Sequence, residues 1–263
     1  DSFRLPRRGS IARRLVEARR SSTPMATPTD WLPGDAAETY AVQEAVIALL
    51  GEPVAAWKVG APAPADTPGV APNCAPIMKS QVLASPARLA SSDHRLFGVE
   101  SELAFRLGSD MRPRETPYTR DEALAALDGV AVAIEEVESR LSDWPDTDAN
   151  LILADCQGNG LLIVGEFGPI PANLDCANQR VIQKLGGGET TDKIGGLASG
   201  EPIWLIAWLA NQLSGRSGSL SGRGLKAGDI VTTGSWTGVN FAAANTRSSA
   251  EFPGFGSAEV VFE

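Results

Sequence analysis

From Gly98 to the end of the chain, short apolar runs with strand character follow one another without the regular strand–helix alternation of a doubly wound sheet. GVESELAFRLG alternates between Gly98 and Gly108, VAVAIEEVE is rich in β-branched residues, and LILAD, LLIVG, GDIVTTGSWTG and SAEVVFE continue the series. This texture predicts an α+β fold with a mixed sheet. Helices are expected mainly before it: Ser10–Ser21, then a helix capped by Asp35, with Glu38 in capping-box position and Gly51 as its stop. Ala55 to Pro86 reads as a strand followed by a long surface segment, because Pro and Gly break up its apolar runs. Thr119 and Glu122 mark a short helix ending at Gly129, and Pro202 sits in the first turn of a helix reaching Leu209. At 263 residues the chain suits one structural unit: a helical region over 1–54 packed on a core over 55–263.

Charge narrows the partners. Residues 1–20 carry a local charge of +5, and the remainder carries −14. A body this acidic repels nucleic-acid phosphates and anionic lipid, and no basic stripe with interleaved aromatics is present. No segment has the ~18 apolar residues that a membrane helix needs, so the expected partner is a small molecule. The Arg-rich start admits a transit peptide or an amphipathic helix, and Ile11, Leu15 and Val16 favour the helix. Three cysteines without CxxC spacing suggest unpaired thiols in a reducing cytoplasm, and His94 is the only histidine, so oxygen ligands are expected for any bound metal.

Several residues could carry chemistry. Glu100 and Glu102 project from one face of a strand, where two carboxylates repel unless a cation or proton lies between them. Glu135 faces opposite to Glu136 and Glu138, so only one side of that strand can join the pair. Three carboxylates would suit Mg²⁺ or Mn²⁺; a salt-bridge rim with Arg140 fits the same spacing. Lys58, between Trp57 and Val59, could neutralise a substrate carboxylate, move a proton or simply snorkel from a strand end. Asp155 precedes a Gly-rich turn, where Asp often serves local hydrogen bonds, and TTGSWTG could present backbone N–H groups to an anion or form an ordinary turn.

The EARR and YAVQ helices, WKVG, the ExE of VESELAF, AIEEVESR, LADCQGNG, IWLIAWLANQL and LKAGDIVTTGSWTG occur in an order and spacing that resemble one family. The chain is similar to the 2-keto-4-pentenoate hydratase and 4-oxalocrotonate decarboxylase branch of the fumarylacetoacetate hydrolase superfamily, from about Ile11 onward. The resemblance implies a mixed β-roll core with a helical N-terminal region, working as a homo-oligomer often built from pentamers. It implies metal ligands at Glu100, Glu102 and Glu135, an active-site lysine at Lys58, a catalytic aspartate at Asp155, and a substrate-side turn at Thr233 and Gly234. It also implies a lyase that binds Mg²⁺ or Mn²⁺ and adds water to a 2-hydroxy-2,4-dienoate to give a 4-hydroxy-2-oxo acid. The cation stabilises charge on the C2 oxygen, protonation at C5 creates an enone, and water adds at C4.

The sequence departs from the familiar hydratases at three places. Cys156-Gln157-Gly158-Asn159-Gly160 replaces a small hydroxyl-rich stretch, Glu136 replaces an apolar residue, and the segment near Asn73-Cys74 lacks an acidic residue. Gln157 and Asn159 are therefore expected to bind the distal end of the substrate and to favour a polar or carboxylated tail. Oxalocrotonate-type decarboxylation and a non-catalytic 2-oxo acid binder remain alternatives. Carbon–carbon bond hydrolysis is disfavoured, because it usually needs a His–carboxylate dyad and His94 lies outside the expected lid motif.

Overall fold

The computed structural model describes residues 4–263, so residues 1–3 of the expected 1–54 region lie outside the described residues. Two helices open the chain, α1 (Arg4–Ser21) and α2 (Ala36–Leu50). Asp35 caps α2 by accepting from the Glu38 N–H at 2.8 Å, and Gly51 ends it in the left-handed region at φ 68°. The Glu38 carboxylate in turn accepts from Gly34 N at 2.8 Å, just before the cap. Ile11, Leu15 and Val16 meet Val42 and Val46 in an apolar cluster that also takes in Leu141 and Leu151, which fastens the helices to the later part of the chain.

The strands follow: β1 (Val54–Gly60), β2 (Asn73–Met78), β3 (Val82–Ala84), β4 (Ala87–Leu89) and β5 (Gly98–Leu107). After α3 (Arg120–Ala126) come β6 (Leu127–Val137), α4 (Ala149–Ala154), β7 (Asn159–Val164), β8 (Arg180–Lys184) and β9 (Thr190–Ile194). The chain ends with α5 (Ile203–Ser214), β10 (Ile230–Thr232), β11 (Asn240–Phe241), β12 (Arg247–Phe252) and β13 (Gly256–Phe262). Among the described residues one sheet has the order β2-β1-β10-β5-β6-β7-β3, with β11 also on β5, and a second has the order β4-β13-β12-β8-β9. Parallel and antiparallel pairs occur in both. The expected α+β class with mixed sheets is what the chain adopts.

Three local expectations change. NCAPIM is strand β2, not surface loop, and it tolerates Pro76 because β2 lies at the sheet edge. The helix after Thr119 stops at Ala126, because Leu127 and Gly129 pair with Leu107 and Arg106 and begin β6. LILA forms a one-turn helix, capped by Asp148 accepting from Leu151 N.

The two faces of the large sheet differ. One packs against β12 and β13 around Trp57, Leu103, Phe105, Ile134, Phe252 and Phe262, the main core. The other carries Ala56, Ala104, Ala131, Ala133 and Leu162, a smaller apolar layer. The register sets Glu100 opposite Glu135 and Glu102 opposite Ala133, so all three glutamates continue the alanine-lined face. Glu136 falls on the core face.

Candidate active site

Lys58 on β1, Thr232 on β10, Glu100 and Glu102 on β5 and Glu135 on β6 meet on the alanine-lined face. Glu100, Glu102 and Glu135 each offer a carboxylate oxygen, and these lie within 4.8 Å of one another. Lys58 Nζ forms an ion pair with Glu135 Oε1 and donates to the Gln157 carbonyl at 3.2 Å. Thr232 Oγ1 donates to Glu102 Oε2, and Gly234 N donates to the same oxygen at 3.2 Å. The backbone N–H that the TG turn offers is thus taken up by the Glu102 carboxyl. Asn159 Nδ2 reaches Glu135 Oε1 at 3.3 Å.

Three carboxylates facing one cation leave the group electrostatically unsatisfied. Burial, then Glu135, pushes Glu100 up to about 7, with Lys58 opposing. Burial, then Glu135 and Glu100, raises Glu102 well above the ordinary carboxylate range. Burial would lower Lys58, but Glu135 and Glu100 outweigh it and raise it above its ordinary value, so it stays an ammonium. Glu135 Oε2 is buried with no hydrogen-bond partner. Converging hard oxygens, one of them orphaned, make a donor set that could hold a hard divalent cation.

Asp155 lies elsewhere. Its carboxylate accepts from Arg140 Nε at 2.6 Å and Arg140 N at 2.9 Å, both residues being buried. Arg140 also donates to the Asn159 carbonyl at 2.7 Å, so the pair fastens the turn before β7. Asp155 therefore holds the site's frame and does not point at the carboxylates. Thr233 is likewise turned into the fold, its hydroxyl on the Leu103 carbonyl at 3.0 Å. Gln157 contributes its carbonyl to Lys58, from a left-handed conformation at φ 54°. Asn159 is fully buried, and β7 begins there and turns its amide toward Glu135.

A cavity of about 380 Å³ opens beside the TG turn, lined by Gly60, Ala61, Pro62, Ala71, Asn73, Leu197, Ala198, Ser199, Thr233, Gly234 and Ser235. None of these carries a charge. A larger cavity of about 790 Å³ opens on the opposite face of the sheet and is lined by His94, Glu136 and Glu138. Sequence reasoning missed Thr232, whose signal was its place on a strand two residues before a Gly. It also missed the His94 group, because the residues are separated by 42 positions.

The family model of the fumarylacetoacetate (FAA) hydrolase C-terminal region matches residues 52–262. A 2-hydroxyhexa-2,4-dienoate hydratase from Comamonas testosteroni is 31% identical over 164 residues, covering 62% of this chain and 59% of that protein. A 2-keto-4-pentenoate hydratase from Paraburkholderia xenovorans is 29% identical over 165 residues, 63% of this chain and 58% of that one. The chain thus aligns with less than two thirds of the length of either. A third relative, a 2-keto-4-pentenoate hydratase from Burkholderia vietnamiensis, is 28% identical over 262 residues, 96% of each chain. The solved structure of 4-oxalocrotonate decarboxylase from Pseudomonas putida G7, complexed with magnesium and adipate, shares the fold at a TM-score of 0.81 and 19% identity over 98% of both chains.

Proposed function

The chain belongs to the fumarylacetoacetate hydrolase family, and from that premise we propose that it is a divalent-metal-dependent hydro-lyase adding water to a 2-hydroxy-2,4-dienoate to give a 4-hydroxy-2-oxo acid. The observation that carries the reading is the meeting of Glu100, Glu102 and Glu135 with Lys58 on one face of the sheet. Glu100, Glu102 and Glu135 would hold Mg²⁺ or Mn²⁺. When bound, the ion supplies Lewis-acid polarisation of the substrate's 2-oxygen and lowers the cost of developing charge there.

The chain's own groups do the rest. Lys58, kept charged by Glu135 and Glu100, stands ready to neutralise the substrate carboxylate. Thr232 and Gly234 fix Glu102, and Asn159 fixes Glu135, so the carboxylates need little reorganisation. Ser199 and Ser235 supply the side-chain hydroxyls at the wall of the neighbouring cavity besides buried Thr233, and can hold a water there.

That cavity also separates the hydratase from the decarboxylase reading. An oxalocrotonate-type diacid brings a second carboxylate, and burying it without a cationic partner is costly. The lining residues offer none, so a short uncharged tail fits better. This replaces the expectation that Asn159 selects a carboxylated tail. The metal-loaded protein should consume 2-hydroxypenta-2,4-dienoate, followed as loss of ultraviolet absorbance, with the 4-hydroxy-2-oxo acid as product. CO₂ release from 4-oxalocrotonate without dienoate hydration would overturn the assignment. Two further features belong to the same proposal. A homo-oligomer accounts for exposed Ile194 and Phe241, and a reducing cytoplasm accounts for three buried free thiols. No helix among the described residues is long and apolar enough to cross a membrane.

A further inference from the structure

One residue along from Glu135, on the core face of β6, lies a second constellation that hydration does not use. His94, Glu136 and Glu138 each offer a ligand atom, and these lie within 4.8 Å of one another. His94 Nδ1 is 2.9 Å from Glu136 Oε1. Glu136 is wholly buried, and its second oxygen, Oε2, has no hydrogen-bond partner. A carboxylate oxygen at that depth calls for a proton or a cation. Gly160 makes room for it, since a Cβ at that position would collide with Oε2.

Glu138 is already oriented. Its Oε2 accepts from the N–H groups of Arg95 at 2.7 Å and Leu96 at 3.0 Å, which leaves Oε1 available. The Arg95 guanidinium is drawn off toward the Ser139 and Leu141 carbonyls and stands 3.8 Å from that oxygen. All three ligand residues line the cavity of about 790 Å³, so coordination positions beyond the three protein ligands face open space.

We propose that His94, Glu136 and Glu138 form a second metal site, separate from the carboxylate triad and selective for a borderline ion of the Zn²⁺ class. Zn²⁺ takes imidazole nitrogen and carboxylate oxygen together and keeps an open position, whereas an all-oxygen triad suits Mg²⁺. The two sites therefore sort two ions by ligand chemistry on opposite faces of one strand.

The sole histidine makes the test direct. Chelated protein is titrated with Zn²⁺ in excess Mg²⁺, which occupies the triad, while the His94 imidazole is followed by NMR and bound zinc by elemental analysis after dialysis. One Zn²⁺ per chain should be retained, and the imidazole resonances should move with Zn²⁺ and stay put with Mg²⁺ alone. His94→Ala and Glu136→Leu should lose the zinc, and Glu102→Gln should keep it. Glu136→Leu places an apolar side chain in a buried position and guards against a loss that reflects unfolding, checked by its thermal melt. Imidazole resonances unmoved by Zn²⁺, or zinc lost in Glu102→Gln but kept in His94→Ala, would overturn the second site. Should both variants unfold, the wild-type titration alone still decides.

Discussion

Glu135 and Glu136 are neighbours in the chain, yet the first looks onto the alanine-lined face and the second onto the core face. Around Glu135 the polar groups belong to Lys58, Thr232, Gly234, Asn159 and two more carboxylates. Around Glu136 they belong to His94, Glu138 and Arg140, with Phe97 and Phe262 packed on the imidazole at ring distances of 6.4 and 5.7 Å. Burial raises both Glu102 and Glu136, but the counterweights differ: the Thr232 hydroxyl and the Lys58 ammonium on one side, the His94 imidazole on the other. A single step of strand parity is enough to hold two kinds of ionic chemistry within one strand, provided that each buried carboxylate finds its own partner.

The most severe break should come from Glu102→Gln. It removes one hard ligand and leaves the Thr232 hydroxyl a partner, so the fold should persist while Mg²⁺-dependent turnover falls about 10³-fold or more, as loss of several kcal/mol of metal-derived stabilisation requires. Steady-state kinetics with a Mg²⁺ titration checks this. Asp155→Asn strikes the joint shared by both faces, because Arg140 is bonded to Asp155 and to the Asn159 carbonyl. Leaving buried Arg140 unpaired should cost about 3–5 kcal/mol, read by denaturant unfolding. Lys58→Met should lower kcat/KM roughly 10²-fold with metal affinity largely retained, the scale of losing one preorganised electrostatic group. An unchanged kcat/KM would return Lys58 to a purely structural role.

Gly160→Ala separates the two faces more finely. Its Cβ would meet Glu136 Oε2 and the Glu136 carbonyl, so about 1–3 kcal/mol of stability should be lost through overpacking, with His94 NMR signals shifted more than Mg²⁺ affinity. The smallest effect concerns pH. Glu100 in the metal-free protein is raised to about 7 from an ordinary 4.5, so between those values the folded state binds more protons than the unfolded chain. Stability without metal should therefore fall as pH rises from about 4.5 through about 7. Mg²⁺ must displace the protons held by the raised carboxyls of both Glu100 and Glu102, so its affinity should climb by at least about tenfold per pH unit as pH rises toward about 7. Calorimetric titrations at several pH values measure the slope.

Local patterns in the sequence carried much of this. Alternation in GVESELAFRLG puts Glu100 and Glu102 together, and strand parity alone splits Glu135 from Glu136. Asp35, Gly51 and Thr119 mark real caps because capping is settled within four residues. What stayed hidden was non-local or short. β8 and β9 are five-residue strands with exposed positions, defined by pairing with each other, and β8 with β12, and not by their own periodicity. Pro76 disguises an edge strand as a loop. Asp155 reads as a catalytic group, since nothing in LADCQGNG announces that Arg140, 15 residues earlier, takes its carboxylate. Asn159 reads as a tail selector because spacing along the chain does not show that β7 turns its amide toward Glu135.

That hydration runs on the alanine-lined face through an ion held by Glu100, Glu102 and Glu135 is tested most directly by stripping the protein with a chelator and measuring 2-hydroxypenta-2,4-dienoate turnover before and after adding back Mg²⁺. Turnover should be abolished by chelation and restored with a stoichiometry of one Mg²⁺ per chain, with Zn²⁺ at the His94 site making no difference to the restored rate. Stripped protein that hydrates the dienoate as fast as the reconstituted protein would contradict the assignment.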